Sequence, residues 1–330
     1  MSGLFVQKHA DAVRAQGCDV RVICSLGWLD TWCQWGALQR EGWVPDIVQL
    51  NVIQKQGLLA LWLKKRYKIP YVIVEHWSGY LPENGQFMRM SALKRKLYQL
   101  IAKEASRILT VSDRQAEEMK VCGIENACWG KIDNVVDDFF CGQRIASLKD
   151  KGQKTKTLLH VSCFDERAKN VKGLLCAAKM LSEKRQDWQL VLVGTGVDYK
   201  EVRAYAERLE LPEGLLRWTG ELSPREVADE MHRADALVLS SRYETYGVVL
   251  AEAVAAGLPI VSTPVGIAEE VADLIVPQEV AQHKPGRFAE YIESVLWNTE
   301  RVADREQRTD RFTAEAIGKK LKTIYEEARA

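Results

Sequence analysis

Residues Ser240 to Gly257 read S-S-R-Y-E-T-Y-G-V-V-L-A-E-A-V-A-A-G, and the fold class is decided there. The apolar run Ala236 to Leu239 before it has strand composition. A polar turn and Gly247 follow, then a helix-forming run from Val248 to Ala256 that stops at Gly257 and Pro259. Strand, loop and helix in that order make one unit of an open α/β sheet, in which ligands bind at the carboxyl ends of the strands. Gly247 at the helix entrance lets a ligand approach the backbone. The free N–H groups of Val248 and Val249, with the positive end of the helix dipole, favour an anion such as a diphosphate. Glu244 precedes the helix and Glu252 lies in its second turn, so one carboxylate can reach over the anion while the other lies beside the helix. Both can accept hydrogen bonds from sugar hydroxyls. The pattern suggests a sugar nucleotide, although two glutamates at this spacing also occur by chance in many helices.

The run continues to Gly266, and Y-E-T-Y-G-V-V-L-A-E-A-V-A-A-G-L-P-I-V-S-T-P-V-G (Tyr243 to Gly266) resembles the E-x7-E segment of retaining glycosyltransferases of the GT-B fold, glycosyltransferase family 4 (glycosyl transferases group 1). The resemblance implies an α/β protein with two Rossmann-like domains and parallel sheets, residues 1–146 on the acceptor side and 147–312 binding the nucleotide sugar. A final helix, 313–330, crosses back to the first domain. It also implies transfer of a sugar, with retention, from a UDP- or GDP-linked donor to a glycan or lipid-linked acceptor, commonly in bacterial polysaccharide or glycolipid synthesis. No metal and no cofactor are implied. Under this resemblance Glu244 holds hydroxyls of the transferred sugar and Glu252 those of the ribose. Lys169, in Lys169-Asn170, meets the diphosphate. The family's arginine falls here on Cys163, so Arg167 is the candidate second cation. Trp218, Gly220 and Leu222 border the base. His76, in Glu75-His76-Trp77-Ser78-Gly79, matches the histidine that faces the donor sugar, whereas a lone histidine after a strand is ordinarily structural. Ser2-Gly3 stands where the family has a Gly-Gly pair before its first helix, which makes Gly3 a donor contact. Asp133 and Val135 replace a proline and a glycine of the family's I-P-N-G-V-D segment.

Composition sets the bounds around this site. A chain of 330 residues with 47% hydrophobic content can bury two cores. A net charge of +1 gives no general case for nucleic-acid binding. The 8 cysteines show neither C-x-x-C pairs nor zinc spacing, and no D-x-D motif offers a metal site. Apolar runs stay short of the about 20 residues that span a bilayer, and Met1 to Phe5 lacks the regions of a signal peptide. A soluble, cytoplasmic protein is expected. Lys64-Lys65-Arg66 with Lys68, and Lys94-Arg95-Lys96, are either solvated helix faces or a surface for anionic lipid headgroups, peripheral on the inner membrane face.

Outward from the central stretch, apolar spacing predicts helices over Phe5–Gln16, Gln56–Tyr67, Ser91–Ala105 and Phe312–Ala330. Strands are predicted over Val20–Cys24, Ile47–Leu50, Tyr71–Val74, Arg107–Val111, Thr157–Ser162, Gln189–Val193 and Leu215–Thr219. The chain is thus expected to open on a helix, without the first strand of a doubly wound domain, either because the start is misassigned or cut or because the domain is incomplete. Gly194-Thr195-Gly196 reads as a tight turn, Ser223-Pro224 with Glu226 as a helix start, and Ser147–Lys156 as an interdomain linker. Trp28, Trp32, Trp35 and Trp43 serve packing on one reading and an acceptor surface on the other.

Two further readings share these residues. Some nucleotide-sugar epimerases have the same architecture. A catalytically silent nucleotide- or glycan-binding module would accommodate the missing strand and the cation lost at Cys163.

Overall fold

Tyr71–Glu75 and Ala236–Leu239 are buried along their whole length, as strands covered on both faces of a parallel sheet are. They belong to different sheets. In the computed structural model, which describes residues 3–24, 27–141, 155–297 and 309–329, the chain divides into two units: Met1–Val135 with Arg311–Ala330, and Val136–Asp310. Each is an α/β unit around a parallel sheet, the class expected from the sequence.

The first unit runs α1 (Leu4–Arg14), α2 (Trp28–Arg40), β1 (Val48–Asn51), α3 (Gly57–Tyr67), β2 (Tyr71–Glu75), α4 (Ala92–Glu104), β3 (Arg107–Thr110), α5 (Asp113–Val121) and β4 (Trp129–Lys131). Its strands lie in the order β1-β2-β3-β4, all parallel. Among the described residues no strand precedes β1, and the strand expected at Val20–Cys24 does not form. That segment finds no ladder partner. Its carbonyls bond side chains instead: Val20 accepts from the Arg14 guanidinium at 2.9 Å and Cys24 from Gln34 Nε2 at 2.9 Å, which meets the need for pairing without a sheet.

Helices cover both faces of this sheet. Ala12 and Val13 of α1 pack with Val72, Val74 and Leu109 on one side, joined there by Ile317, Leu321 and Ile324. Ile53, Ala60, Tyr98 and Ile101 close the other side over Tyr71 and Ile73. Each such aliphatic side chain withdrawn from water contributes about 1.5–3 kcal/mol. Trp32, Trp35 and Trp43 pack against Leu59 and Leu63 of α3, so the packing reading holds for these three. The Trp28 side chain lies outside the described ones.

The second unit runs β5 (Lys156–Val161), α6 (Glu166–Lys169), α7 (Val171–Lys184), β6 (Trp188–Val193), α8 (Tyr199–Arg208), β7 (Leu216–Gly220), α9 (Pro224–Arg233), β8 (Ala236–Leu239), α10 (Val248–Ala255), β9 (Ile260–Ser262), α11 (Ala268–Val271), β10 (Leu274–Ile275), α12 (Gln278–His283) and α13 (Pro285–Trp297). Its strand order is β10-β9-β8-β5-β6-β7. The chain winds outward from β5 through β6 to β7, then returns to the far side of β5 with β8. Ligands of open α/β sheets bind where the winding reverses. The crevice between the carboxyl ends of β5 and β8 is that place.

Local signals start the helices. Ser223 and Glu226 form a reciprocal capping box with Pro224 at the first helical position of α9. The last helix, α14 (Ala314–Arg329), belongs to the first unit, and Phe312 ahead of it lies in a short 3-10 turn. The predicted boundary at 146/147, and nearly all of the predicted linker Ser147–Lys156, fall outside the described residues.

Candidate active site

The loop after β5 is shaped by Asp165. Its carboxylate accepts the backbone N–H groups of Arg167 at 3.1 Å and Ala168 at 3.4 Å, capping the single turn of α6. Asn170, left-handed at φ 51°, ends that turn, and Lys169 is its last residue. Across the switch point, Ser240 to Gly247 leave β8. Lys169 Nζ donates to Glu244 Oε1, and Ser241 Oγ donates to the same oxygen at 2.8 Å. The two charged side chains are only 15% and 14% exposed. Burial alone would lower the lysine pKa, but the Glu244 carboxylate outweighs it, and Lys169 is held above its ordinary value.

The two loops are sewn together around this pair. Buried Ser240 brings its hydroxyl within 2.9 Å of the Lys169 carbonyl and 3.1 Å of that of Asn170. Arg242 donates its backbone N–H to Ala168 O at 2.7 Å and its guanidinium to Asn170 Oδ1 at 2.7 Å and to Glu166 O. Gln278 Nε2 donates to the carbonyls of Ser241 at 2.9 Å and Arg242 at 3.1 Å, and Thr263 Oγ1 donates to Ser241 O at 2.6 Å. Beneath them, buried His160 bonds the Val238 carbonyl through Nδ1 and Ser162 Oγ through Nε2, each at 2.9 Å. A carbonyl only accepts, so Nδ1 carries the proton. Desolvation lowers the pKa of this imidazole to about 4.

Helix α10 then starts on Gly247, whose φ of 78° and ψ of 67° lie in the left-handed region that L side chains rarely adopt. A Cβ there would also lie 2.8 Å from Leu250 Cδ1. Gly266 backs the turn: its own Cβ would meet the Tyr246 carbonyl oxygen at 2.1 Å. Val248 is exposed, and Val249 and Glu252 are half-buried. Lys169, Glu244, Gly247, Val248, Val249 and Glu252 are thus placed by two adjoining loops and the start of one helix.

At the end of β7, half-buried Trp218 packs edge-on against Tyr199 with ring centres 5.8 Å apart, and the Arg203 guanidinium lies over its indole at 5.4 Å. Gly220 turns the chain at φ 73°, accepts the Gly194 N–H at 2.7 Å, and is followed two residues on by half-buried Leu222. The Gly194-Thr195-Gly196 segment, read from the sequence as a tight turn, instead lies against the loop after β5, with Thr195 O accepting from Phe164 N–H at 2.9 Å, and the turn comes one step later at Val197–Asp198, closed by the Tyr199 N–H on Gly196 O at 3.2 Å. Cys163 and Arg167 are both exposed, and Arg167 interacts electrostatically with Tyr243.

His76 and Gly3 lie in the first unit. His76 follows β2, with the Phe5 ring 3.9 Å and the His9 ring 6.0 Å from its own. Burial, with a smaller effect of His9, lowers its pKa to about 3, and its buried Nε2 has no hydrogen-bond partner among the described residues. Gly3 is the exposed N-cap of α1. Sequence reasoning missed Ser240, Ser241 and Arg242 as a brace for Lys169. Their signal was available as three polar residues directly after an apolar strand.

With this geometry in hand, comparison places the chain. Residues 144–312 match the family described as Glycosyl transferases group 1, and residues 26–127 match a Glycosyl transferase 4-like domain. The first match covers more than half of the chain, which therefore belongs to the glycosyl transferases group 1 family. The alpha-monoglucosyldiacylglycerol synthase of Streptococcus pneumoniae is 25% identical over 65% of this chain and 52% of its own. The phosphatidyl-myo-inositol mannosyltransferase of Mycolicibacterium smegmatis is 27% identical over 52% and 45%. The chain spans about half the length of these curated relatives. Among solved structures, a sucrose-phosphate synthase from Thermosynechococcus elongatus superposes with a TM-score of 0.77 at 17% identity, over 99% of this chain and 93% of that one. Anabaena Alr3699/HepE in complex with UDP and glucose gives 0.69 at 19% identity, over 93% and 84%. These structures share the GT-B fold with the chain.

Proposed function

We propose that this chain is a retaining glycosyltransferase, moving a sugar from a UDP- or GDP-linked donor to a glycan or lipid-linked acceptor without a metal ion or cofactor. The observation that carries the reading is the Lys169–Glu244 pair beside the start of α10. A departing nucleoside diphosphate needs cationic and N–H partners fixed in advance. Lys169 supplies the charge, and the helix entrance at Gly247 to Val249 supplies the dipole and the N–H groups. Glu244, held by Lys169 and Ser241, presents its carboxylate to hydroxyls of the transferred sugar, and Glu252 to those of the ribose. Trp218, Gly220 and Leu222 border the base and Arg167 adds a second cation, while His76 and Gly3 are donor contacts on the family resemblance alone. The departing phosphate takes the acceptor proton on the same face of the sugar, so the chain needs no general base.

The similarity to a glucosyldiacylglycerol synthase and a phosphatidylinositol mannosyltransferase supports a lipid-linked acceptor. Peripheral contact with an anionic membrane face from the cytoplasmic side belongs to the same proposal. The basic residues Lys94 to Lys96 beside Leu93, which is 81% exposed, support it. No helix among the described residues is long and apolar enough to cross a membrane.

The test is release of nucleoside diphosphate from a panel of UDP-, GDP- and ADP-sugars, with Glu244→Ala as control. Release that depends on Glu244 is the expected result. No release from any donor would remove the reading, and an isomerised donor formed without acceptor would replace it with an epimerase.

A further inference from the structure

Glu75 is the last residue of β2 and is fully buried, with no ion-pair partner among the described residues. Its two oxygens serve two different segments. Oε1 accepts the backbone N–H groups of His76 at 2.9 Å and Trp77 at 2.8 Å, while Oε2 accepts that of Ile53 at 3.0 Å. Ile53 belongs to the turn after β1, and that turn is strained. Val52, a β-branched residue, sits at φ 64°, a conformation that persists only where the surroundings impose it and that clusters at functional sites. Gln54 and Lys55 expose the tip of the turn. The loop after β2 and the turn after β1 both lie at the carboxyl edge of their sheet, where ligands bind.

We infer that Glu75 is a positioning residue whose carboxylate ties the strained turn after β1 to the loop after β2 and so holds His76 for sugar transfer. The inference rests on the transferase reading for its consequence, not for its geometry. A link of this kind needs both oxygens to be acceptors. An ionised carboxylate provides that, whereas an amide turns its NH2 toward at least one of the N–H groups and a protonated carboxyl leaves its hydroxyl oxygen a much weaker acceptor.

Burial pushes the Glu75 pKa up to about 7, against the lowering effect of the three backbone N–H groups and of Tyr80. The other titratable groups around it do not share that range. Tyr80 and Tyr98, which interact electrostatically with Glu75, are raised by burial, and Cys122 beside Tyr80 is raised as well. His76 is lowered to about 3 and His9 is lowered, both chiefly by burial. A neutral-pH titration at this edge therefore belongs to Glu75.

The experiment compares wild type and Glu75→Gln by UDP release from UDP-glucose across pH 5.5 to 8.5, or by the corresponding release from whichever donor of the panel is turned over. The backbone amide resonances of Ile53, His76 and Trp77 are followed in parallel. Glu75→Gln should lower kcat by about tenfold to a hundredfold, the cost of a misplaced group, with the donor KM unchanged. Wild type should show an acid limb near pH 7, and that limb should vanish in the variant. The three amides should move together with one midpoint near 7 in wild type and stay still in the variant. Wild-type kcat and pH profile in Glu75→Gln, or amides that titrate independently, would overturn the inference. If the variant does not fold, the wild-type amides decide alone. A wild type inactive with every donor fells the transferase reading instead, because the amide titration does not depend on turnover.

Discussion

The carboxyl edges of the two sheets solve the problem of a buried glutamate in opposite ways. Glu244 has a lysine and a serine hydroxyl on one oxygen. Glu75 has backbone N–H groups on both oxygens and no cation among the described residues. The first arrangement keeps a charge pair ready for an anion, which can share Lys169 as it arrives. The second leaves a carboxyl whose ionisation falls near neutrality. One edge holds a lysine whose pKa is raised by its carboxylate partner, and the other a carboxyl that responds to pH.

The sharpest way to break this contrast is at Lys169. Lys169→Ala would leave Glu244 largely buried without its cation. Removing one partner of a buried pair costs about 3–5 kcal/mol of stability, and removing a preorganised charge from a leaving-group site slows the reaction about 10²- to 10³-fold. The pair can be isolated by a cycle of Lys169→Met, Glu244→Gln and the double variant, read by urea unfolding. The double variant should be more stable than the sum of the single losses by about 0.5–3 kcal/mol. Strict additivity would show that the two side chains meet without interacting.

The contrast itself was only half legible in the sequence. Ala236–Leu239 and the start of α10 were readable because an unbroken apolar run and a glycine are local signals. So was α9, from its serine, proline and glutamate. The Lys169–Glu244 contact was not readable from spacing, since 75 residues separate the partners and only the sheet order sets β5 beside β8. The family resemblance supplied both residues, but not the brace from Ser240 and Arg242. Val20–Cys24 has strand composition, yet a strand exists only through a partner, and side chains took its carbonyls. The two- and three-residue strands β10 and β9 are too short to show a period. Glu75 carried no signal: a glutamate after an apolar strand reads as the first loop residue, and its burial follows from a turn more than 20 residues earlier in the chain.

The pH dependence of stability gives a smaller effect with a definite sign. Glu75 binds its proton more tightly folded, at about 7, than its ordinary 4.5. Its contribution is fully present below 4.5 and is lost as the pH rises through about 7. His76 and His160, lowered to about 3 and about 4, work in the other direction, as does His9, also lowered. Their contributions are present above 6.5 and lost as the pH falls, so the slopes oppose one another between 4.5 and 6.5. The difference between Glu75→Gln and wild type removes the histidines. Relative to wild type, the variant should gain stability from pH 4.5 to above 7, by at most about 3 kcal/mol, measured by urea unfolding at intervals of pH. A difference that stays flat would mean that Glu75 is solvated and that the two edges do not differ.

The smallest effect tests how Glu244 is held. Ser241 is fully buried, and its hydroxyl reaches the same Glu244 oxygen as Lys169 does. Ser241→Ala removes that bond but not the charge pair. Because Gln278 and Thr263 hold the Ser241 carbonyl, the backbone has no reason to move. A hydrogen bond to a charged group that keeps its other partner is worth about 1.5 kcal/mol, or about tenfold in rate. Ser241→Ala should therefore slow Glu244-dependent donor hydrolysis about tenfold, at the low end of what a bond to an ion contributes. The loss would fall on kcat if the carboxylate acts on the transferred sugar, and on the donor KM if it acts in binding alone. A loss as large as that of Lys169→Ala would show that the serine, rather than the lysine, orients the carboxylate, and would turn the paired edge into one that depends on neutral hydrogen bonds, as the Glu75 edge does.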